Sequence, residues 1–250
     1  MSSNKSADIA AMFNQYVMNT YSPSVTLVNG TGCKVHNPER ATFLDFTAGI
    51  AVHNVGHCHP KVVKAIQDQV STIGHTSNLF YTVGQALLAK KLSDLGLGGK
   101  SFFCNSGAEA NEAMIKLARL WGHEKGKYEI ITMQNSFHGR TLATLTATGQ
   151  AKVQKGFDPL PIGFAYAEYN NIESVKAAIN EHTVAIMLEA IQGEGGVTAA
   201  TEAFMVGVRK LCDEKGLLML CDEVQCGMGR TGKWFGWQNY PVKPDAFTLA

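Results

Sequence analysis

The turn that follows the apolar run Ser101–Cys104 has the composition of an anion-binding site. Asn105, Ser106, Gly107 and Ala108 lead directly into a long helical pattern. Small residues at the start of a helix leave backbone N–H groups open, and the helix dipole favours a negative charge there. The Ser106 hydroxyl could add a further donor, so this turn is a candidate phosphate site. A plain N-cap with acidic residues in the first turn is the alternative.

A second candidate lies after the run Glu129–Met133, in the loop Gln134–Thr141. Within this loop, Phe137, His138 and Arg140 could supply a stacking face, a polar contact and a two-pronged carboxylate clamp. A buried phenylalanine beside a solvated arginine is the alternative interpretation.

A third candidate is the carboxylate of Asp222, which follows the apolar run Leu217–Cys221. Burying a carboxylate is unfavourable unless a cation or several donors compensate for the lost hydration. A protonated ring nitrogen of a cofactor would serve, and so would a neighbouring arginine or backbone amides. Glu189 and Glu194 flank another strand end, where glycines let a ligand approach the backbone closely.

The elements that position these turns alternate along the chain after Pro60. Helices are predicted from Pro60 onward and at Gly84–Leu95, Ala108–Trp121, Ile172–Asn180 and Glu202–Lys215, and strands at Ser101–Cys104, Glu129–Met133, Val184–Leu188 and Leu217–Cys221. This alternation predicts an α/β fold with a mostly parallel sheet and helices on both faces. Ligands of such sheets bind beyond the carboxyl ends of the strands, which is where the three candidates lie.

Residues 1–56 have a different pattern and predict an N-terminal arm with a small β meander. The pattern consists of one helix around Asp8–Met18 and short strands at Val25–Val28, Cys33–His36 and Thr42–Phe46. Residues 57–250 are then predicted to form one large domain that carries the site.

Composition and charge exclude several classes of protein. The 250 residues are 45% hydrophobic and carry a net charge of +1, with the charges dispersed and no apolar run of about 18 residues. We therefore expect neither a membrane span nor nucleic-acid binding. Six cysteines without a C-x-x-C pair, and an N-terminus without a recognisable export signal, predict reduced thiols in the cytoplasm.

Two further motifs are weak on their own. Gly227–Gly232 satisfies G-x-G-x-x-G, but Gly236, Pro241 and Pro244 follow where a nucleotide site requires a helix. His57, Cys58 and His59 could bind a metal, but no further ligand stands at a recognised spacing. We therefore expect no dinucleotide, P-loop or metal site.

Combined, the motifs resemble those of class III (subgroup II) pyridoxal-phosphate-dependent aminotransferases of fold type I. The resemblance covers about residues 21–250 and is strongest in five segments that follow the family's order, namely Leu44–Pro60, Phe102–Arg119, Asn135–Thr141, Glu189–Gly196 and Cys221–Phe235. It implies a homodimer with pyridoxal 5'-phosphate in the domain of residues 57–250. The segments are most similar to those of members that transfer the ω-amino group of N-acetylornithine to 2-oxoglutarate in arginine biosynthesis. Ornithine, succinylornithine and 4-aminobutyrate remain as alternative amino donors.

The resemblance also implies roles for individual residues. The implied cofactor-binding residues are Ser106, Gly107, Ala108, Phe137, His138, Asp222 and Gln225. Among them, Asp222 would pair with the pyridinium nitrogen and Phe137 would stack on the ring, while Gln225 would approach the ring hydroxyl. Arg140 would clamp a substrate carboxylate, and Glu194 would pair with an arginine and release it when the second substrate arrives.

In the family, the lysine that binds the cofactor as a Schiff base directly follows the segment that here ends at Ala250. Neither Lys233 nor Lys243 stands in a matching position, and the same holds for the other lysines of the chain. We therefore expect the chain to be the first part of an enzyme, without the catalytic lysine and the C-terminal small domain, and inactive alone. A non-catalytic protein that binds only the cofactor phosphate is the alternative from another class.

Overall fold

The computed structural model describes residues 5–250, which fall into two compact units that meet in sequence between Tyr81 and Thr82. Each unit has its own secondary structure and is described by itself. The predicted division into an arm of residues 1–56 and a cofactor domain of residues 57–250 stays a prediction.

The first unit contains a three-stranded antiparallel meander and short helices. Its elements are α1 (Ser6–Tyr16), β1 (Asn29–Thr31), β2 (Lys34–His36), β3 (Thr42–Leu44), α2 (Ala48–Ala51), α3 (Pro60–Val70) and a 3-10 helix at Ser77–Leu79. The strand predicted at Val25–Val28 is absent, because of its residues only Val28 bonds to a strand, through its amide and the His36 carbonyl of β2. Of the large apolar side chains described in this unit, Val35 alone is buried.

The second unit is built on a five-stranded sheet in which all neighbouring strands are parallel. In spatial order the strands are β10 (Ala246–Thr248), β9 (Leu218–Asp222), β6 (Thr183–Glu189), β4 (Glu129–Met133) and β5 (Phe164–Ala167). A separate antiparallel ribbon joins β7 (Ile191–Gln192) to β8 (Thr198–Ala199). The predicted parallel sheet is therefore confirmed.

The helices of this unit are α4 (Val83–Leu95), α5 (Gly107–Gly122), α6 (Leu142–Ala147), α7 (Ala151–Gln154), α8 (Ile172–Ala178) and α9 (Glu202–Lys215), with 3-10 helices at His123–Lys125 and Gly236–Asn239. Successive residues of β4 face opposite sides of the sheet, so Ile130 joins the core cluster of α5 and Ile131 joins that of α9. Helices therefore cover both faces, as predicted. No helix within residues 5–250 is long and apolar enough to cross a membrane.

Two differences from the predicted elements concern short strands. The apolar run Ser101–Cys104 forms no strand, because none of the described segments pairs with it and a strand is defined by its ladder partners. The strands β5 and β10 were not predicted from the sequence. Both are only three or four residues long, so their apolar content gives little periodic signal.

The register of the sheet places three polar residues side by side. Asp222, the last residue of β9, is the partner of Glu189 on β6 and of Thr248 on β10. All three stand at the carboxyl ends of their strands and are buried. One end of the sheet therefore carries a row of buried polar side chains, whereas the rest of the core is mostly apolar.

Glu223, the residue after Asp222, holds a neighbouring segment against this end of the sheet. Its buried carboxylate accepts hydrogen bonds from the amides of Gly236 and Trp237, the latter at 2.8 Å. Burial raises the pKa of this carboxyl from 4.5 to about 7, although the two amides oppose the shift. The folded chain thus holds the Glu223 proton more tightly than the unfolded chain does.

We predict that Gly122→Ala destabilises the second unit. A Cβ at position 122 would lie 2.3 Å from the Lys127 carbonyl oxygen and 2.6 Å from Cγ2 of Val184. Overpacking of this kind lowers the free energy of unfolding by about 1–3 kcal/mol, measurable by urea denaturation. Gly84→Ala is the control, since a Cβ at position 84 would meet no atom within 4 Å other than the neighbouring backbone of its own helix. Equal stability of the two variants would contradict the prediction.

We also predict that Glu223 makes stability depend on pH. Because its pKa is raised on folding, its stabilising contribution is complete below about pH 4.5 and is lost as the pH rises through about 7. In Glu223→Gln, the fall in unfolding free energy between pH 5 and pH 8 should be smaller by up to about 3 kcal/mol. Glu173→Gln, at an exposed position, is the control. The prediction fails if Glu223→Gln keeps the pH dependence of the parent chain.

Candidate active site

The start of α5 presents open backbone donors next to the end of β9. Ser106 is the N-cap and accepts a hydrogen bond from the Glu109 amide at 3.2 Å. The amides of Gly107 and Ala108 occupy the first two helical positions, where no carbonyl within the helix can accept from them. A Cβ on Gly107 would come within 2.9 Å of the Val224 side chain, so glycine permits this close approach.

Asp222 is the centre of a buried hydrogen-bond network. Its Oδ2 lies 2.7 Å from Nδ1 of His138 and accepts a hydrogen bond from Nδ2 of Asn111, also at 2.7 Å. Its Oδ1 accepts from the Val224 amide at 3.0 Å and from the Thr248 hydroxyl at 3.4 Å. The carboxylate is only 3% exposed, so these groups replace its water shell.

The partners of Asp222 are themselves fixed by further hydrogen bonds. Asn111 donates from Nδ2 to the His138 carbonyl and accepts from the Thr248 hydroxyl at Oδ1, both at 2.8 Å. The His138 amide donates to the Thr148 hydroxyl at 2.9 Å. Nε2 of His138 is buried, and no group within residues 5–250 forms a hydrogen bond with it.

The loop between β4 and α6 carries Phe137 and Arg140 in different surroundings. Phe137 is half-buried and its amide donates to Oε2 of Glu189 at 3.2 Å. Arg140 is exposed, with its guanidinium carbon 5.4 Å from the centre of the Phe137 ring. The loop therefore combines a half-buried aromatic ring with an exposed guanidinium above it, which agrees with both interpretations drawn from its sequence.

Gln225 and Glu194 form a second polar pair beyond the strand ends. Nε2 of Gln225 donates to Oε1 of Glu194 at 3.3 Å, and Glu194 is exposed. A Cβ on Gly193 would lie 2.1 Å from Oε1 of Gln225. The glycine before Glu194 is therefore what lets the glutamine side chain reach this position.

The structure thus brings most of the predicted site residues to one end of the sheet. It joins His138 directly to Asp222, Phe137 to Arg140, and Gln225 to Glu194, while Gly107 abuts the segment after β9. Sequence reasoning missed Asn111 and Thr248, which complete the Asp222 network. Asn111 stands four residues after Gly107, and this helical spacing was the only signal for it.

The two weak motifs have other roles in the structure. Gly227–Gly232 forms turns, and the next element is the 3-10 helix Gly236–Asn239 and not the α-helix that a nucleotide site requires. His57 pairs with Asp45 through Nε2 and Oδ2 at 2.7 Å. Within residues 5–250, no group of three or more His, Cys, Asp or Glu side chains is arranged to hold a metal ion.

Comparisons with known proteins agree with this architecture. The chain is 54% identical over 231 residues to the acetylornithine aminotransferase of Methanocaldococcus jannaschii, covering 90% of the chain and 58% of that protein. Seven further curated relatives, 47–53% identical, have the same name. The chain thus spans about three fifths of the length of these relatives.

Solved structures share the fold over nearly the whole chain. The ornithine aminotransferase of Toxoplasma gondii superposes with a TM-score of 0.93 at 28% identity, covering 98% of this chain and 60% of that one. The taurine:2-oxoglutarate aminotransferase of Bifidobacterium kashiwanohense, solved in complex with PLP and glutamate, gives a TM-score of 0.92 at 30% identity. It covers 100% of this chain and 62% of that one.

The family model described as aminotransferase class-III matches residues 16–250, a range that contains every strand of the sheet and every residue of the candidate site. With this match and the identity to its relatives, the chain belongs to the class-III aminotransferase family.

Proposed function

We propose that this chain forms the cofactor-binding part of a pyridoxal-phosphate-dependent aminotransferase that transfers the ω-amino group of N-acetylornithine to 2-oxoglutarate. The observation that carries the proposal is the buried Asp222 carboxylate, held at the strand ends beside the start of α5. The choice of substrate rests on the relatives, of which the one from Methanocaldococcus jannaschii is named acetylornithine aminotransferase.

The charges at the sheet edge fit this cofactor. Asp222 and Glu189 are both buried, and His138 is the basic side chain that contacts Asp222. The charge of Asp222 leaves the site able to accept a cation, and a protonated pyridine ring is one. The open amides at the start of α5 suit the opposite end of the same molecule, its phosphate dianion.

In this proposal, Gly107 and Ala108 bind the phosphate through their backbone N–H groups. The Ser106 hydroxyl, which donates to Oε2 of Glu109 at 3.2 Å, would turn to the phosphate as a further donor. The dipole of the 16-residue helix α5 adds positive potential at the same point. No side-chain cation is needed for these contacts.

Asp222 would hold a proton on the ring nitrogen. His138 and Asn111 fix the orientation of its carboxylate, and burial removes the water that would compete for the proton. When bound, the cofactor acts as an electron sink for the carbanion that forms at the substrate carbon bearing the amino group. Phe137 would stack on the ring, and Gln225 would hydrogen-bond the ring hydroxyl.

The remaining predicted residues would act on the substrate. Arg140 has an exposed guanidinium with two parallel donors, the geometry that binds a carboxylate. Glu194 would pair with a substrate-binding arginine and release it when the second substrate arrives. In the structure Glu194 already accepts a hydrogen bond from Gln225, which supports a polar role at this position.

A homodimer in the cytoplasm completes the proposal. Phe46, Leu79 and Tyr81 are each more than 80% exposed, and apolar side chains of this size usually lie under a partner. All six cysteines are free thiols, which fits a reducing compartment.

We predict that Asp222→Asn strongly slows catalysis in the protein that carries this sequence. The amide keeps the size of the side chain but cannot hold the ring nitrogen protonated, so the rate of amino transfer should fall at least about 100-fold. The dissociation constant of pyridoxal phosphate, measured from cofactor absorbance, should rise about tenfold, equivalent to about 1.4 kcal/mol. Asp213→Asn, at an exposed position, is the control. Unchanged turnover in Asp222→Asn would refute the assigned role.

We further predict that the same protein turns over N-acetylornithine with a higher kcat/KM than ornithine, succinylornithine or 4-aminobutyrate, with 2-oxoglutarate as acceptor. Glutamate formation measured for each donor at equal enzyme concentration provides the comparison. A higher kcat/KM for any of the other three donors would contradict the proposal and identify that donor as the preferred substrate. Binding of pyridoxal phosphate without amino transfer from any donor would support the non-catalytic alternative.

A further inference from the structure

The carboxyl group of Glu189 is buried in the candidate site, but none of the roles above involves it. Glu189 is 4% exposed and stands directly beside Asp222, as its partner across β6 and β9. Its Oε2 accepts the Phe137 amide at 3.2 Å, and its side chain also interacts with the backbone of Gly193. It therefore connects the loop after β4 to the turn after β6.

The titratable groups around Glu189 are acids or weak acids. Asp222 faces it from β9, Glu194 from the turn after β6, Tyr169 from the segment after β5, and Cys226 from the segment after β9. Burial first, and then the charge of Asp222, raises the pKa of Glu189 well above 4.5. A carboxyl group in these surroundings retains its proton more readily than one in water.

Tyr169 shows that the end of β6 is held firmly. Its hydroxyl donates to the Glu189 carbonyl at 2.8 Å and contacts the Ala190 carbonyl at 3.2 Å. Because the backbone of Glu189 is anchored in this way, its side chain can act as a fixed acceptor for the Phe137 amide. A shift of the Glu189 side chain would release the Phe137 amide and, with it, the Phe137 ring.

We propose that Glu189 is a positioning residue: its side chain fixes the Phe137 backbone to the end of β6 and leaves Asp222 as the group that pairs with a cation. The inference rests on the function proposed above, because the benefit of a fixed Phe137 ring and a single anion is to hold a protonated heterocycle. Glu189 is not expected to exchange protons with the substrate.

The test compares Glu189→Gln and Glu189→Ala in the protein that carries this sequence, with Glu181→Gln as the control. Glu181 precedes the opposite end of β6, and its side chain is 86% exposed. Hydrogen–deuterium exchange of the peptide 134–141, without added cofactor, measures how firmly the Phe137 amide is held. The pH profile of amino transfer measures the charge of position 189 during turnover.

We expect Glu189→Gln to exchange at the rate of the parent protein within about threefold, because the amide oxygen still accepts from Phe137. Glu189→Ala should exchange at least about tenfold faster. The parent protein should lose activity at alkaline pH as Glu189 ionises, and this limb should shift to higher pH or disappear in Glu189→Gln. Glu181→Gln should match the parent in both measurements.

An unchanged alkaline limb in Glu189→Gln, or unchanged exchange in Glu189→Ala, would overturn the inference. Failure of the proposed function gives a different result, in which the parent protein itself shows no cofactor-dependent amino transfer. The exchange measurement still applies in that case, since it needs no cofactor, and faster exchange in Glu189→Ala alone would then support the contact with Phe137 without its catalytic purpose.

Discussion

The acidic side chains buried at the carboxyl ends of the central strands are the constraint around which the second unit is arranged. Glu189, Asp222 and Glu223 are all buried there, and each acid is stabilised differently. Asp222 has His138 and Asn111, while Glu223 accepts two backbone amides, and Glu189 favours its protonated form. The three acids therefore bind the loop after β4 and the 3-10 helix Gly236–Asn239 to this end of the sheet.

The same edge of the sheet depends on glycines as well as on polar side chains. Gly107 lets α5 begin against Val224, and Gly193 makes room for the side chain of Gln225. Gly139 has a φ of +137°, and a Cβ there would lie 2.6 Å from the Thr144 hydroxyl. These glycines let three loops from different parts of the chain approach one another closely.

Much of this arrangement could be predicted from the sequence, because strands and helices alternate with clear periods. The predicted β4 and α9 have the observed bounds, and Asp222 could be recognised because an acid directly after an apolar strand is unusual. Asn111 and Thr248 could not be recognised in this way. Each is a lone polar residue inside a regular element, and only the register that sets Thr248 beside Asp222 reveals its role. The run Ser101–Cys104 shows the opposite case, in which apolar content alone does not make a strand.

The side-by-side register of Thr248, Asp222 and Glu189 limits how this sequence can change by insertion or deletion during evolution. Successive residues of a strand point to opposite faces of the sheet. The loss of one residue within β9 would therefore turn the side chain of Asp222 to the other face, away from its hydrogen-bond partners. Homologous chains should therefore keep the lengths of β6, β9 and β10 constant. Differences in length should collect in surface connections away from this edge, such as the segment between α8 and β6.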